Sequence, residues 1–157
     1  MPLVIERVGA ATPALAAFLA DHHADMDSTA PPESQHALPL TRLLAPEVRL
    51  FAMYVDGELV ATGALAPIEP GHEELKSMRT DPARRGAGLG TRMLGFLLED
   101  AAARGIRRVS LETGSDEFFR PAHRLYSRSG FVDTDPFGSY RPDPHSLFLT
   151  RVIAQDG

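Results

Sequence analysis

The chain has 157 residues, 43% of them apolar and 24% charged, with a net charge of −5 and no cysteine. That is enough chain for one hydrophobic core and too little for two, so a single domain over residues 1–157 is expected. Lack of cysteine removes disulfides, thiolate metal sites and an acyl-cysteine intermediate, and net acidity argues against nucleic acid as a partner.

Leu3–Val8 alternates as a first strand, and Thr12-Pro13 opens a helix with a threonine cap and a proline at the first helical position. Leu15, Phe18, Leu19 and His22 keep helical spacing until the segment Asp27–Glu33 breaks it. A second, short helix is expected over His36–Leu44. Val48–Val55 and Glu58–Ala66 read as strands joined by an Asp56-Gly57 hairpin turn. A further strand runs from about Glu73 to Thr80 and stops at Asp81-Pro82. Leu89, Met93, Phe96 and Leu97 mark one face of a helix that Gly105 closes. Arg107–Thr113 is a strand and Phe118–Ser129 a helix, and Phe131–Thr134 and Ser146–Ile153 are the last strands. The order β-α-α-β-β-β-α-β-α-β-β indicates an α/β domain with a mixed sheet.

No apolar run reaches the ~20 residues of a spanning helix, and Met1–Glu6 lacks a signal-peptide layout. A cytoplasmic location and no membrane partner are therefore expected. The histidines (His22, His23, His36, His72, His123, His145) lack ligand spacing, so no metal is expected. Charge is unevenly spread: Lys76–Arg108 holds eight basic residues against three acidic ones, which suggests either a local anionic ligand or a solvated helix face.

Inside that basic stretch a strand runs into Arg84-Arg85-Gly86-Ala87-Gly88-Leu89-Gly90-Thr91, and this loop opens directly into a helix. Glycines there let consecutive N–H groups converge at the positive end of the helix dipole, which makes a phosphate site. A P-loop is excluded because Gly90 leads to Thr91-Arg92 rather than Lys-Ser/Thr. The dinucleotide fingerprint fails on the spacing Gly86-x-Gly88-x-Gly90.

What remains, Arg85-x-x-Gly88-x-Gly90, resembles the pyrophosphate motif of the GNAT acetyltransferases. Met78–Pro82 resembles that family's preceding strand end. Leu111-Glu112-Thr113 followed by Ala122-x-x-Leu125-Tyr126-x-x-x-Gly130-Phe131 resembles its second cofactor segment. The similarity runs from about Glu58 to Phe131, and the flanks Pro31–Leu38 and Asp143–Ser146 are similar to a narrower group, the YsnE-like acetyltransferases.

The resemblance implies a mixed, mostly antiparallel central sheet with flanking helices and a splay between the fourth and fifth strands. It implies an N-acetyltransferase that passes the acetyl group of acetyl-CoA directly to a primary amine. Backbone groups at Met78, Arg79 and Thr80 would meet the pantetheine arm. Arg85, Gly86, Ala87, Gly88, Leu89, Gly90 and Thr91 would hold the pyrophosphate. Tyr126 stands where the family places the phenol that protonates the leaving thiolate, and it also reads as a core tyrosine. Glu74 is the expected base, with Glu112 as a rival; both, like Glu73 on the opposite face, also read as structural or solvated charges. Phe119 occupies the usual asparagine position, so Thr113 or Ser115 would have to supply that polar contact.

The acceptor would be a small-molecule or peptide amine; Glu33, His36 and His145 are candidates on its side, each reading equally as a cap or surface side chain, and the acidity of the rest of the chain favours a cationic amine. A homodimer is common in the family. Two other readings stay open: a module that senses acyl-CoA without turnover, and a phosphate-binding protein outside the family.

Overall fold

The computed structural model describes residues 2–26, 29–36 and 38–153. Seven strands form one sheet in the order β1-β2-β3-β4-β5-β7-β6. They are β1 Leu3–Arg7, β2 Arg49–Val55, β3 Glu58–Glu69, β4 His72–Thr80, β5 Arg108–Gly114, β6 Val132–Asp133 and β7 Ser146–Val152. Every pairing is antiparallel except β4 with β5. The helices are α1 Pro13–Met26, α2 Leu40–Leu43, α3 Leu89–Ala103 and α4 Arg120–Arg128.

Strand alternation sends side chains to two cores. On one face α3 buries Met93, Leu94 and Leu97 against Phe51, Met53 and Leu65, with Tyr126 and Phe131 beside them. On the other, α1 and α2 bury Leu15, Leu19 and Leu43 against Leu50 and Ala64. The Thr12 hydroxyl accepts from Leu15 N–H at 3.1 Å, as a threonine cap should. Asp56 and Gly57 both have positive φ (51° and 82°), the backbone of a tight hairpin turn.

Two expected helices are altered. The second forms only over Leu40–Leu43, because Pro39 is its extended N-cap (φ −68°, ψ 158°) and the chain before a proline disfavours helix. A 3-10 turn at Pro32–Ser34 precedes it. Asp27, Ser28 and Ala37, on which those expectations partly rest, lie outside the described residues. The helix expected from Phe118 begins instead as a 3-10 turn, Glu117–Phe119, capped by Asp116, whose carboxylate accepts from Phe118 N–H at 2.9 Å.

The splay follows from how little β4 and β5 share. They pair only from His72–Glu74 to Arg108–Ser110. Beyond that point β4 stays with β3 as far as Thr80, opposite Ala61, and β5 stays with β7 as far as Gly114, opposite Ser146. The apex is pinned from the α3 side: Arg104 donates two hydrogen bonds to the buried Glu73, at 2.9 and 2.7 Å, and also contacts Asp100, which holds Arg49. Glu73 is therefore a buried structural charge rather than a solvated one.

Within the open part β4 carries a bulge. Lys76 opposes Ala64 and Arg79 opposes Thr62, so Ser77 and Met78 together face Gly63. Ser77 takes φ +53°, and its carbonyl accepts from the Thr62 hydroxyl at 2.8 Å. A Cβ at Gly63 would lie 2.6 Å from Leu97 Cδ1 and 3.0 Å from Met78 Sδ, so glycine there lets α3 and the Met78 side chain pack closely on β3.

Candidate active site

The splay opens into a cleft of about 580 Å³, lined from β4, the loop after it, the start of α3, β5, α4, the 29–36 segment and His145. Its two ends differ in construction.

At one end the chain leaves β4 through Asp81, whose carboxylate accepts from Ala83 N–H at 3.0 Å, while Arg84 is held by Glu58 at 2.5 Å. Gly86 and Gly88 have φ of +86° and +76°, and Gly88 is the N-cap of α3 with no side-chain cap. Arg92 N–H to the Gly88 carbonyl, 3.1 Å, is the first bond of that helix. The N–H groups of Leu89, Gly90 and Thr91 thus have no intrahelical acceptor. No heavy atom outside the adjacent residues lies within 4 Å of where a Gly88 Cβ would sit. A bare helix start with open space above it fits a pyrophosphate. All the residues expected to hold acetyl-CoA line the cleft except Ala87. Beside them, β4 beyond Glu74 has no strand on its β5 side, which leaves the edge at Met78–Thr80 open to a pantetheine arm.

Tyr126, on α4, is 6% exposed and lines the cleft. Its ring packs on Phe131 with centroids 5.7 Å apart, and its hydroxyl makes no hydrogen bond among the described residues. Burial pushes its pKa up, so it is a neutral phenol with a proton to give. Phe119 lines the cleft against Gly114, where a Cβ would lie 2.1 Å from its ring, so no side chain fits between them. Of the two residues considered as replacements for the missing asparagine, Thr113 is buried and lines the cleft. Ser115 donates its hydroxyl to the Pro144 carbonyl at 2.7 Å instead.

The other end is made of side chains. Glu112 projects from β5 into the cleft and accepts from the Ser146 hydroxyl at 2.6 Å. Burial pushes its carboxyl above the usual range, against the pull of that hydrogen bond and of nearby His36 and Lys76. Glu74 is placed differently. It does not line the cleft, and the Lys76 ammonium (3.1 Å) and the Tyr140 hydroxyl both donate to its Oε2. Lys76 also donates to the Tyr140 oxygen at 3.0 Å. Burial and then the Glu74 carboxylate push the Tyr140 pKa up.

The roof at this end comes from two loops. The Ser34 hydroxyl donates to Asp143 at 2.5 Å, and His36 meets the Tyr140 ring edge-on at 4.9 Å. His36 and His145 line the cleft as expected, whereas Glu33 is exposed outside it. His22 also lines it, its pKa pushed down to about 4, by burial first and then by Arg79. Tyr140 escaped sequence reading: it sits in a Pro/Gly-rich connector, and its partner Glu74 is 66 residues away. Among the described residues no His, Cys, Asp and Glu cluster could hold a metal, and no helix is long and apolar enough to cross a membrane.

Residues 15–131 match the profile of the acetyltransferase (GNAT) family. The chain is 40% identical over 144 residues to the uncharacterized N-acetyltransferase YedL of Escherichia coli K12, covering 92% of this chain and 91% of that protein. It is 40% identical over 133 residues to the uncharacterized N-acetyltransferase YsnE of Bacillus subtilis 168, covering 85% and 88%. An acyl-CoA N-acyltransferase structure from Klebsiella pneumoniae superposes with a TM-score of 0.78 at 29% identity, over 96% of this chain and 97% of that one.

Proposed function

This chain belongs to the GNAT acetyltransferase family, and we propose that it passes an acetyl group to a primary amine by direct attack, with Glu112 as base and Tyr126 as acid. Acetyl-CoA, the co-substrate of the family, supplies an acetyl thioester. The uncapped start of α3 and the Gly86–Gly90 loop hold its pyrophosphate, and the free edge of β4 aligns its arm along the splay.

The protons and bonds then balance. An incoming ammonium gives one proton to Glu112, which passes it to solvent. The freed nitrogen lone pair bonds to the acetyl carbon. The C–S bond breaks, Tyr126 gives its hydroxyl proton to the sulfur, and the second proton, shed by nitrogen as the amide forms, restores the phenol. Burial makes both side chains suited to this: a carboxylate with a raised pKa takes a proton more readily, and a buried phenol keeps its proton until an anion appears beside it. The sulfur anion, in the same dry cleft, becomes more basic for the same reason. Glu74 was the expected base. Its engagement by Lys76 and Tyr140 supports a positioning role, and the exposure of Glu112 to the cleft supports the rival.

The observation that carries this reading is the single cleft that joins a bare helix start, an unpaired strand edge, a buried phenol and a half-buried carboxylate. The strands from Leu3 to Val152 join in one sheet, which supports one acyl-transfer domain. Release of free CoA thiol should depend on an added amine, and acetyl-CoA should raise the melting temperature where ATP at equal concentration does not. Binding without amine-dependent release would leave an acyl-CoA sensor. Equal shifts from both ligands would leave a generic phosphate site.

A further inference from the structure

The charged groups that line the cleft are mostly basic, against the balance of the chain, although Lys76, Arg79 and Arg84 are each paired with a carboxylate set back from it, Glu74, Asp25 and Glu58. With 21 acidic and 16 basic residues the protein is acidic overall. Yet among the described residues that line the cleft, Glu112 is the only carboxylate, against Lys76, Arg79, Arg84, Arg85 and Arg128. Arg84 and Arg85 belong to the phosphate loop and Arg128 ends α4, so Lys76 and the side chain of Arg79, whose backbone lies on the pantetheine edge, remain for the acceptor.

Both have donor capacity left over. Lys76 is 10% exposed and uses two of its three N–H groups, on Glu74 and Tyr140. Arg79 is 9% exposed, donates from Nη1 to Asp25 at 2.7 Å and lies over the Phe18 ring, but its buried Nε has no partner among the described residues. A buried donor without an acceptor is costly to leave so. The β4 bulge brings the two together: residues three apart on a regular strand face opposite ways, whereas Lys76 and Arg79 oppose Ala64 and Thr62, which share a face.

Resting on the acyl-transfer reading, we propose that the acceptor is an amine that carries its own carboxylate, an amino acid, with its ammonium at Glu112 and its carboxylate toward Lys76 and Arg79. Lys76 on β4 and Glu112 on β5 each stand two residues past the last paired rung, Glu74 opposite Ser110, so they flank the mouth of the splay from facing strands and line the same cleft. A polyamine or other polycation fits badly, since it brings no acceptor for the spare donors of Lys76 and Arg79 and would find in Glu112 the only carboxylate that lines the cleft among the described residues. Chain-wide acidity pointed to a cationic amine. The spare donors of the lining decide otherwise, because a ligand inside a cleft meets the groups that line it before distant surface charge.

The test uses the intact protein, acetyl-CoA and thiol release. Leucine, methionine, phenylalanine and glutamate are each compared with their own amide, and spermidine is included. At least one amino acid should exceed its amide by about tenfold or more in kcat/KM, most of it in KM. Lys76→Met should bring that ratio to about one, and Lys76→Arg should keep part of it. Acetyl-CoA-induced thermal shift reports whether each variant is folded, and Arg79→Gln should lower the ratio independently. Amides that match their acids, or spermidine as the best acceptor, would overturn the proposal and leave the transferase intact. No thiol release with any amine would overturn both.

Discussion

At the phosphate end of the cleft the wall is backbone, supplied by the contiguous run Arg84–Thr91; at the acceptor end it is side chains from the 29–36 segment, β4, β5 and the loop before β7. A backbone site tolerates changes of side chain as long as the glycine geometry survives. A side-chain site fails one group at a time, and each failure has its own kinetic signature. The difference teaches where to look for conserved binding and where for chemistry, and it can be broken or sharpened by substitution.

The largest effect is expected at Tyr126. Tyr126→Phe keeps the ring on Phe131 and should bind acetyl-CoA nearly as before, while maximal rate falls by a factor of about 10²–10⁴. The deficit should shrink as pH rises past about 8.5, where a thiolate leaves unprotonated. Wild-type turnover in this variant would make the hydroxyl structural.

Next comes the contrast between the two glutamates. Glu112→Gln should cost about 10²-fold or more at neutral pH and recover at high pH, where the amine sheds its proton unaided. Glu74→Gln should cost less, with its loss in KM, if Glu74 only positions Lys76 and Tyr140; the reverse ranking would restore it as the base. Varying amine pKa separates this defect from the leaving-group defect of Tyr126→Phe. Glu112→Gln should also melt higher at neutral pH. Its raised folded-state pKa means that the ionised carboxylate weighs on the fold above that pKa, and the advantage should vanish below the ordinary glutamate range, where both forms are neutral.

Smaller effects belong to the backbone end. A valine at position 88 would disfavour φ +76° by about 1–2 kcal/mol, which is about five- to thirtyfold in acetyl-CoA affinity before any loss of close approach. The fold should persist, since the site of the new Cβ is open. Arg85→Ala should weaken binding only about two- to fivefold, because the exposed guanidinium is screened and the amides carry the contact. Isothermal titration would check both, and an Arg85 effect exceeding that of Gly88→Val would reverse the contrast.

How much of this was legible depended on distance along the chain. The Asp56-Gly57 turn, the Thr12 cap and the Gly86–Gly90 loop each arise from neighbouring residues whose conformational preferences act locally, so their sequence states them. The second helix was overextended because a break at Pro39 competed with an apolar pattern that continued through it.

By itself the sequence determined the order of the elements, the phosphate loop and the family motifs, since all of these rest on residues a few positions apart. Only the tertiary structure decided which carboxylate faces the cleft. Alternation correctly placed Glu73 opposite Glu74. It gave no sign that Tyr140 would arrive to occupy Glu74, or that a bulge at Ser77–Met78 would bring Arg79 round beside Lys76. Both depend on groups brought close by the folded sheet: a phenol 66 residues distant, and a neighbouring strand whose register sets Ser77 and Met78 together against Gly63.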